Sequence, residues 1–75
     1  MADANLAHIA AGFGAGLVTI GAAYGIGKLA GAAMEGSARN PQAAGDVRIS
    51  MIISCALIEG VALFGTVVCL LLAVK

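Results

Sequence analysis

The chain has no tryptophan, one proline and only three aromatic side chains, and it is poor in charge. Four basic and four acidic residues cancel, so charged side chains make up 11% of its 75 residues. Soluble domains carry roughly 25%. Without polar residues to coat a water-facing surface, and with too few residues to bury a large core, a water-soluble globule is excluded. Zero net charge removes the basic stripe that a nucleic-acid surface requires. The two cysteines fall in one apolar run; in a helix Cys55 and Cys69 would lie about 21 Å apart, too far to bridge. With no accompanying cluster of Cys and His they offer no zinc spacing, and they read as small apolar residues. No basic segment precedes the first apolar stretch, and that stretch is too long for a signal-peptide core, so a mature N-terminus is expected.

What the chain does have is apolar length. Hydrophobic residues form 61% of it, with 11 glycines interspersed. One apolar segment runs from about Leu6 to Met34 and another from about Ile49 to Val74. Each exceeds the ~20 residues that a helix needs to cross a hydrocarbon core. Between them lie the only proline, Pro41, and half of the charged side chains: Glu35, Arg39, Asp46 and Arg48. Proline restricts Asn40 to extended conformations and ends the first helix there. The expectation is an all-α membrane fold: a single hairpin over residues 1–75, with helix 1 at about 5–38, a polar loop at about 39–45 and helix 2 at about 46–74. Arg39 and Arg48 in the loop, against Lys75 at the tail, place the loop in the cytoplasm by the positive-inside rule.

Glycine costs about 1 kcal/mol relative to alanine inside a helix, so the glycines of helix 1 need a physical reason. At 100° per residue, Gly14, Gly21, Gly25 and Ala32 share one ridge. Gly12, Gly16, Ala23, Gly27 and Ala30 share another, roughly 170° away by the same construction. Small residues allow helix backbones to approach closely in membranes. Two opposed ridges suit a helix flanked by identical neighbours, as in a ring or filament. The competing reading is tight packing inside one hairpin. Val18, Thr19, Ala22, Ile26, Leu29 and Ala33 form the expected seat for helix 2. Phe13, Leu17, Ile20, Tyr24, Lys28 and Glu35 would then face the interior of a ring.

The apolar span from Ile49 to Val74 holds one ionisable carboxylate, Glu59, about 15 Å along the helix from the start of that span. A charge at that depth costs roughly 2.5–3.5 kcal/mol, so intramembrane acids mark ion pathways more often than packing contacts. Lipid favours the neutral acid over the carboxylate. A side chain that is neutral in lipid, yet ionises beside a cation or a water path, carries protons. The bland alternative is a Glu that hydrogen-bonds a neighbouring backbone. Thr66 is the one hydroxyl expected near the Glu59 face, while the adjacent Gly60 and Val61 provide no side-chain oxygen. Bare sodium needs several oxygen ligands, so the proton is the expected ion and no cofactor is called for. His8 reads as an interfacial residue. The Gly12-Phe13-Gly14 and Gly25-Ile26-Gly27 pairs follow no strand and read as packing, not phosphate binding. No catalytic triad or metal site is present in the pattern, so no catalytic residue is expected.

These residues resemble the c subunit, or proteolipid, of F-type ATP synthase. The similarity covers essentially the whole chain. It rests on Gly21-Ala22-Ala23-Tyr24-Gly25-Ile26-Gly27, on Ala38-Arg39-Asn40-Pro41, and on Ala56-Leu57-Ile58-Glu59-Gly60. The resemblance implies a homo-oligomeric ring with first helices innermost and Gly14, Gly21, Ala23, Gly25 and Gly27 at helix contacts. It implies that Glu59 exchanges a proton with half-channels of a neighbouring a subunit. Arg39, Asn40 and Pro41 would contact the central stalk of gamma and epsilon subunits, with ATP chemistry elsewhere in the complex. Sodium-coupled relatives have a glutamine where this chain has Ile26 and a hydroxyl where it has Gly60, which favours H⁺. Vacuolar-type proteolipids usually have doubled hairpins, unlike this one. A bacterial inner membrane is the expected location, with an organelle membrane as the alternative. A passive pore and a structural adaptor are the competing functions; Glu59 lacks the polar stripe that a pore needs.

Overall fold

The computed structural model describes residues 2–75, with side chains from Ala4 onward; Met1, where the expected hairpin domain begins, lies outside the described residues. Two helices, α1 (Ala2–Arg39) and α2 (Ala44–Ala73), are joined by Asn40 and one 3-10 turn, Pro41–Ala43. Asn40 takes φ −137° and ψ 82°, the extended geometry that a following proline imposes. Its N–H still donates to Gly36 O at 3.0 Å, closing the last turn of α1, and its carbonyl accepts from Ala43 N–H at 3.0 Å.

The polar loop expected at 39–45 is therefore much shorter, because Arg39 is helical and α2 is already under way at Ala44. Pro41 has the φ of a helix start and no N–H to satisfy, so it opens a turn as readily as it closes one. Gln42, Ala43 and Ala44 favour helix and continue it without a break. Arg39 in the last turn of α1 and Asp46 in the first turn of α2 each complement the helix dipole there.

Both helices are long and apolar enough to cross a membrane. The hairpin measures 60 × 15 × 9 Å, so it exceeds the ~30 Å hydrocarbon core and its ends project beyond it. In cross-section it is two helices wide and one helix thick. Most large apolar side chains are exposed, including Phe13, Val61 and Phe64, which is the condition of a chain solvated by lipid or by other chains.

What seats α2 on α1 is small residues. Ala11 and Ala33 are the buried apolar residues of the described chain. A Cβ placed on Gly65 would lie 2.9 Å from Val18 Cγ2, and one on Gly14 would lie 2.9 Å from Cys69 Sγ. At Gly25 the corresponding distance, to Ile58 Cδ1, is 3.4 Å. No described glycine has a positive φ, so these residues serve by lacking a side chain and not by bending the backbone. Close approach matters because lipid supplies no hydrophobic force between helices; van der Waals contact must hold them.

Here the geometry corrects the two-ridge reading of α1. Gly14 and Gly25, expected to face an identical neighbour, pack against α2 of the same chain. Gly21, on that same ridge, and Gly12, Gly16 and Gly27, on the other, have nothing within 4 Å. A helical wheel treats the helix as an isolated cylinder and cannot show that α2 overlaps the edge of one ridge.

Candidate functional site

Glu59 is carried on the flank of α2, exposed and outside the α1–α2 contact. It lines a groove of about 330 Å³ with Thr19 and Ala23 from α1 and Ala62, Leu63 and Thr66 from α2. The antiparallel register explains the meeting. Gly14 faces Cys69 and Val18 faces Gly65, which sets Thr19 level with the turn containing Thr66. Thr66, expected near Glu59, does line its groove. Thr19, expected in the seat for α2, instead opens onto the Glu59 groove. Sequence reasoning misses it because only the register between helices reveals it.

Both hydroxyl hydrogens are committed. Thr19 Oγ1 donates to Ala15 O at 2.8 Å, and Thr66 Oγ1 donates to Ala62 O at 2.9 Å. Their lone pairs are left as acceptors in the groove, the complement that a protonated carboxyl requires.

The opposite flank has a different character. A groove of about 540 Å³ is lined there by Leu17, Gly21, Leu57, Val61 and Gly65, without a titratable side chain. The hairpin thus has a groove with a carboxyl and two hydroxyls on one flank, and an apolar groove at the same level on the other.

The other candidate residues are spread along the molecule. Gly21 lies on the apolar flank, Ala23 in the Glu59 groove, and Gly27 on open surface. Arg39, Asn40 and Pro41 cluster, exposed, at the hairpin tip. Arg39 Nη2 lies 3.9 Å from Glu35 Oε1, the one ion pair among the described residues, with the two side chains 81% and 75% exposed. Lys28 does not pair with Glu59; its ammonium stands 5.4 Å from the centre of the Tyr24 ring. Cys55 and Cys69 are free thiols. Among the described residues no three of His, Cys, Asp and Glu gather as a metal site would require.

A thin apolar hairpin with one carboxyl on its flank defines a small helical membrane protein of the proteolipid class. A family model, that of the ATP synthase C subunit, matches residues 9–72. The ATP synthase c subunit of Bacteroides thetaiotaomicron is 57% identical over 70 residues, covering 93% of this chain and 82% of that protein. The protein of the same name from Phocaeicola vulgatus is 56% identical over 70 residues, covering 93% and 83%. One from Bacteroides fragilis is 64% identical over 44 residues, covering 59% and 52%. No solved structure gives a significant match. The chain belongs to the family of ATP synthase c subunits.

Proposed function

We propose that this chain is the proton-carrying rotor subunit of an F-type ATP synthase, with Glu59 as the carrier. The observation that carries this reading is the position of Glu59. It lies at mid-span, on an outer flank, in a groove that offers hydroxyl acceptors and no cation. Lipid disfavours an isolated carboxylate. A cationic partner on an adjacent subunit reverses that preference locally, because an opposite charge at close range favours ionisation. The arginine of the a subunit that the family resemblance implies would play this part. Alternation between the two environments takes up a proton on one side and releases it on the other.

The unlike flanks support assembly. The Glu59 edge of one copy against the apolar edge of the next is a head-to-tail contact, the kind that generates rings when the rotation closes. The open glycines Gly12, Gly16, Gly21 and Gly27 permit such neighbours to approach closely. Arg39, Asn40 and Pro41 at the tip are placed to bear on the gamma and epsilon subunits of the central stalk. Arg39 and Arg48, flanking the tip, favour a cytoplasmic tip with both termini outside, and the bacterial relatives favour a bacterial inner membrane. One charge crossing 100 mV gains about 2.3 kcal/mol, too little for an ATP, so many copies must pass in turn. ATP itself would be made on other subunits, and the transported ion is the proton.

Replacing Glu59 by Gln tests the assignment. Rings should assemble at wild-type yield, and proton-driven ATP synthesis in reconstituted vesicles should fall to background. Retained synthesis would remove Glu59 from the mechanism.

A further inference from the structure

Lys28 has no part in the mechanism above, yet it is a cation within an apolar helix. It shares an outward face of α1 with Phe13, Ile20 and Tyr24, which are 73%, 68% and 67% exposed. Its ammonium sits over the Tyr24 ring at 5.4 Å, within cation–π range, so the charge is held beside the aromatic ring on that face. The nearest acid on the same face, Glu35, lies about 10 Å further along the helix by its rise per residue. That acid is also engaged, with Arg39 at 3.9 Å. Lys28 therefore has no protein anion of its own among the described residues.

We propose that Lys28 and Tyr24 form a binding site for the headgroup of an anionic phospholipid inside the ring. The inference rests on the ring reading of the preceding subsection. In a ring with α1 innermost, the arrangement that the family resemblance implies, every copy contributes one Lys28 to a single lumen, at one depth. Like charges gathered in a space of low dielectric repel unless an anion sits among them. Phe13 and Ile20, on the same face further from the hairpin tip, call for acyl chains and not water. The occupant must join a negative headgroup to hydrocarbon, which selects a phospholipid over free phosphate. The ammonium pairs with the phosphate, and the Tyr24 hydroxyl can donate to a phosphate oxygen. Because Lys28 lies about 10 Å deeper than Glu35, the lumen lipid is drawn further into the membrane than its neighbours outside the ring.

The test equilibrates assembled wild-type rings with mixed micelles of equal phosphatidylglycerol and phosphatidylcholine, then measures the tightly retained lipid by native mass spectrometry. Phosphatidylglycerol should be enriched roughly five-fold, the preference that one basic residue confers at a membrane surface. Lys28→Gln should bring the ratio to that of the micelles, and Lys28→Arg should keep it. Retention in the micelle ratio by wild-type rings, or unchanged enrichment in Lys28→Gln, overturns the proposal and leaves the ring reading intact. Failure of the wild-type chain to form rings at all would instead overturn the ring reading. If Lys28→Gln does not assemble, Lys28→Met is the second variant, and it should likewise bring the ratio to that of the micelles. Enrichment that survives in Lys28→Met contradicts a charge-selected site.

Discussion

The two flanks of the hairpin are built from the same helices, yet they differ in kind. On one, Glu59 shares a groove of about 330 Å³ with Thr19 and Thr66. On the other, Leu17, Gly21, Leu57 and Val61 line about 540 Å³ of apolar groove. In the proposed rotor, a carboxyl that carries a proton through lipid gains from hydroxyl acceptors on its own side and from the dry, apolar groove of the next copy. The difference teaches that, on the rotor reading, the functional unit is a groove completed when one of opposite character is brought against it.

The strongest way to break this comparison is to move the acid across the hairpin. In the double variant Glu59→Gln with Val61→Glu, the carboxyl enters the groove whose lining side chains offer no oxygen acceptor. Proton-driven ATP synthesis should stay at background, as in Glu59→Gln alone; restored synthesis would show that the flanks are equivalent.

A smaller effect is expected where α1 meets α2. In Gly65→Ala the new Cβ stands 2.9 Å from Val18 Cγ2, so the helices must part or the valine must turn. Overpacking of this kind costs about 1–3 kcal/mol, and it should lower the temperature at which the ring dissociates in detergent. Gly21→Ala meets nothing within 4 Å inside the hairpin, so any loss there reports contact with another copy.

Thr66→Val sharpens the comparison by removing one acceptor at nearly constant volume. One net hydrogen bond is worth about 1 kcal/mol, so the rate of synthesis at limiting driving force should fall by up to about five-fold. Thr66→Ser should restore it. No change in Thr66→Val would mean that the hydroxyl serves only its own helix, through the 2.9 Å bond to Ala62 O.

The least effect on the fold belongs to the hairpin tip. The Arg39–Glu35 pair is 3.9 Å apart and highly exposed, so Arg39→Ala should change ring stability by less than about 1 kcal/mol. If Arg39 bears on the stalk, the same variant should still weaken the coupling of ATP hydrolysis to proton pumping. A marked fall in ring stability would make its role structural.

How far the sequence foretells these features depends on how local each cause is. The end of α1 at Arg39 is legible because Pro41 acts on the residue before it. Glu59 is legible because a single acid in an apolar run stands out without any knowledge of its neighbours. The length of the loop is not, since polar residues 39–45 read as coil while Pro41, Gln42 and Ala43 are equally able to start a helix. A wheel assigns Gly14 and Gly25 to the wrong neighbour, and Thr19 to the wrong surface, for one shared reason. Each depends on where α2 lies around α1 and on the antiparallel register, and neither quantity is a property of one helix.

Carbodiimide labelling of assembled wild-type rings tests the central claim most directly, because the reagent attacks a protonated carboxyl sheltered from water. Label should accumulate on Glu59 in preference to Glu35 and Asp46, slow as the bathing solution is made alkaline, and proceed equally with and without sodium. Labelling spread evenly over the acids, or protection of Glu59 by sodium, would contradict a proton-carrying acid held in lipid.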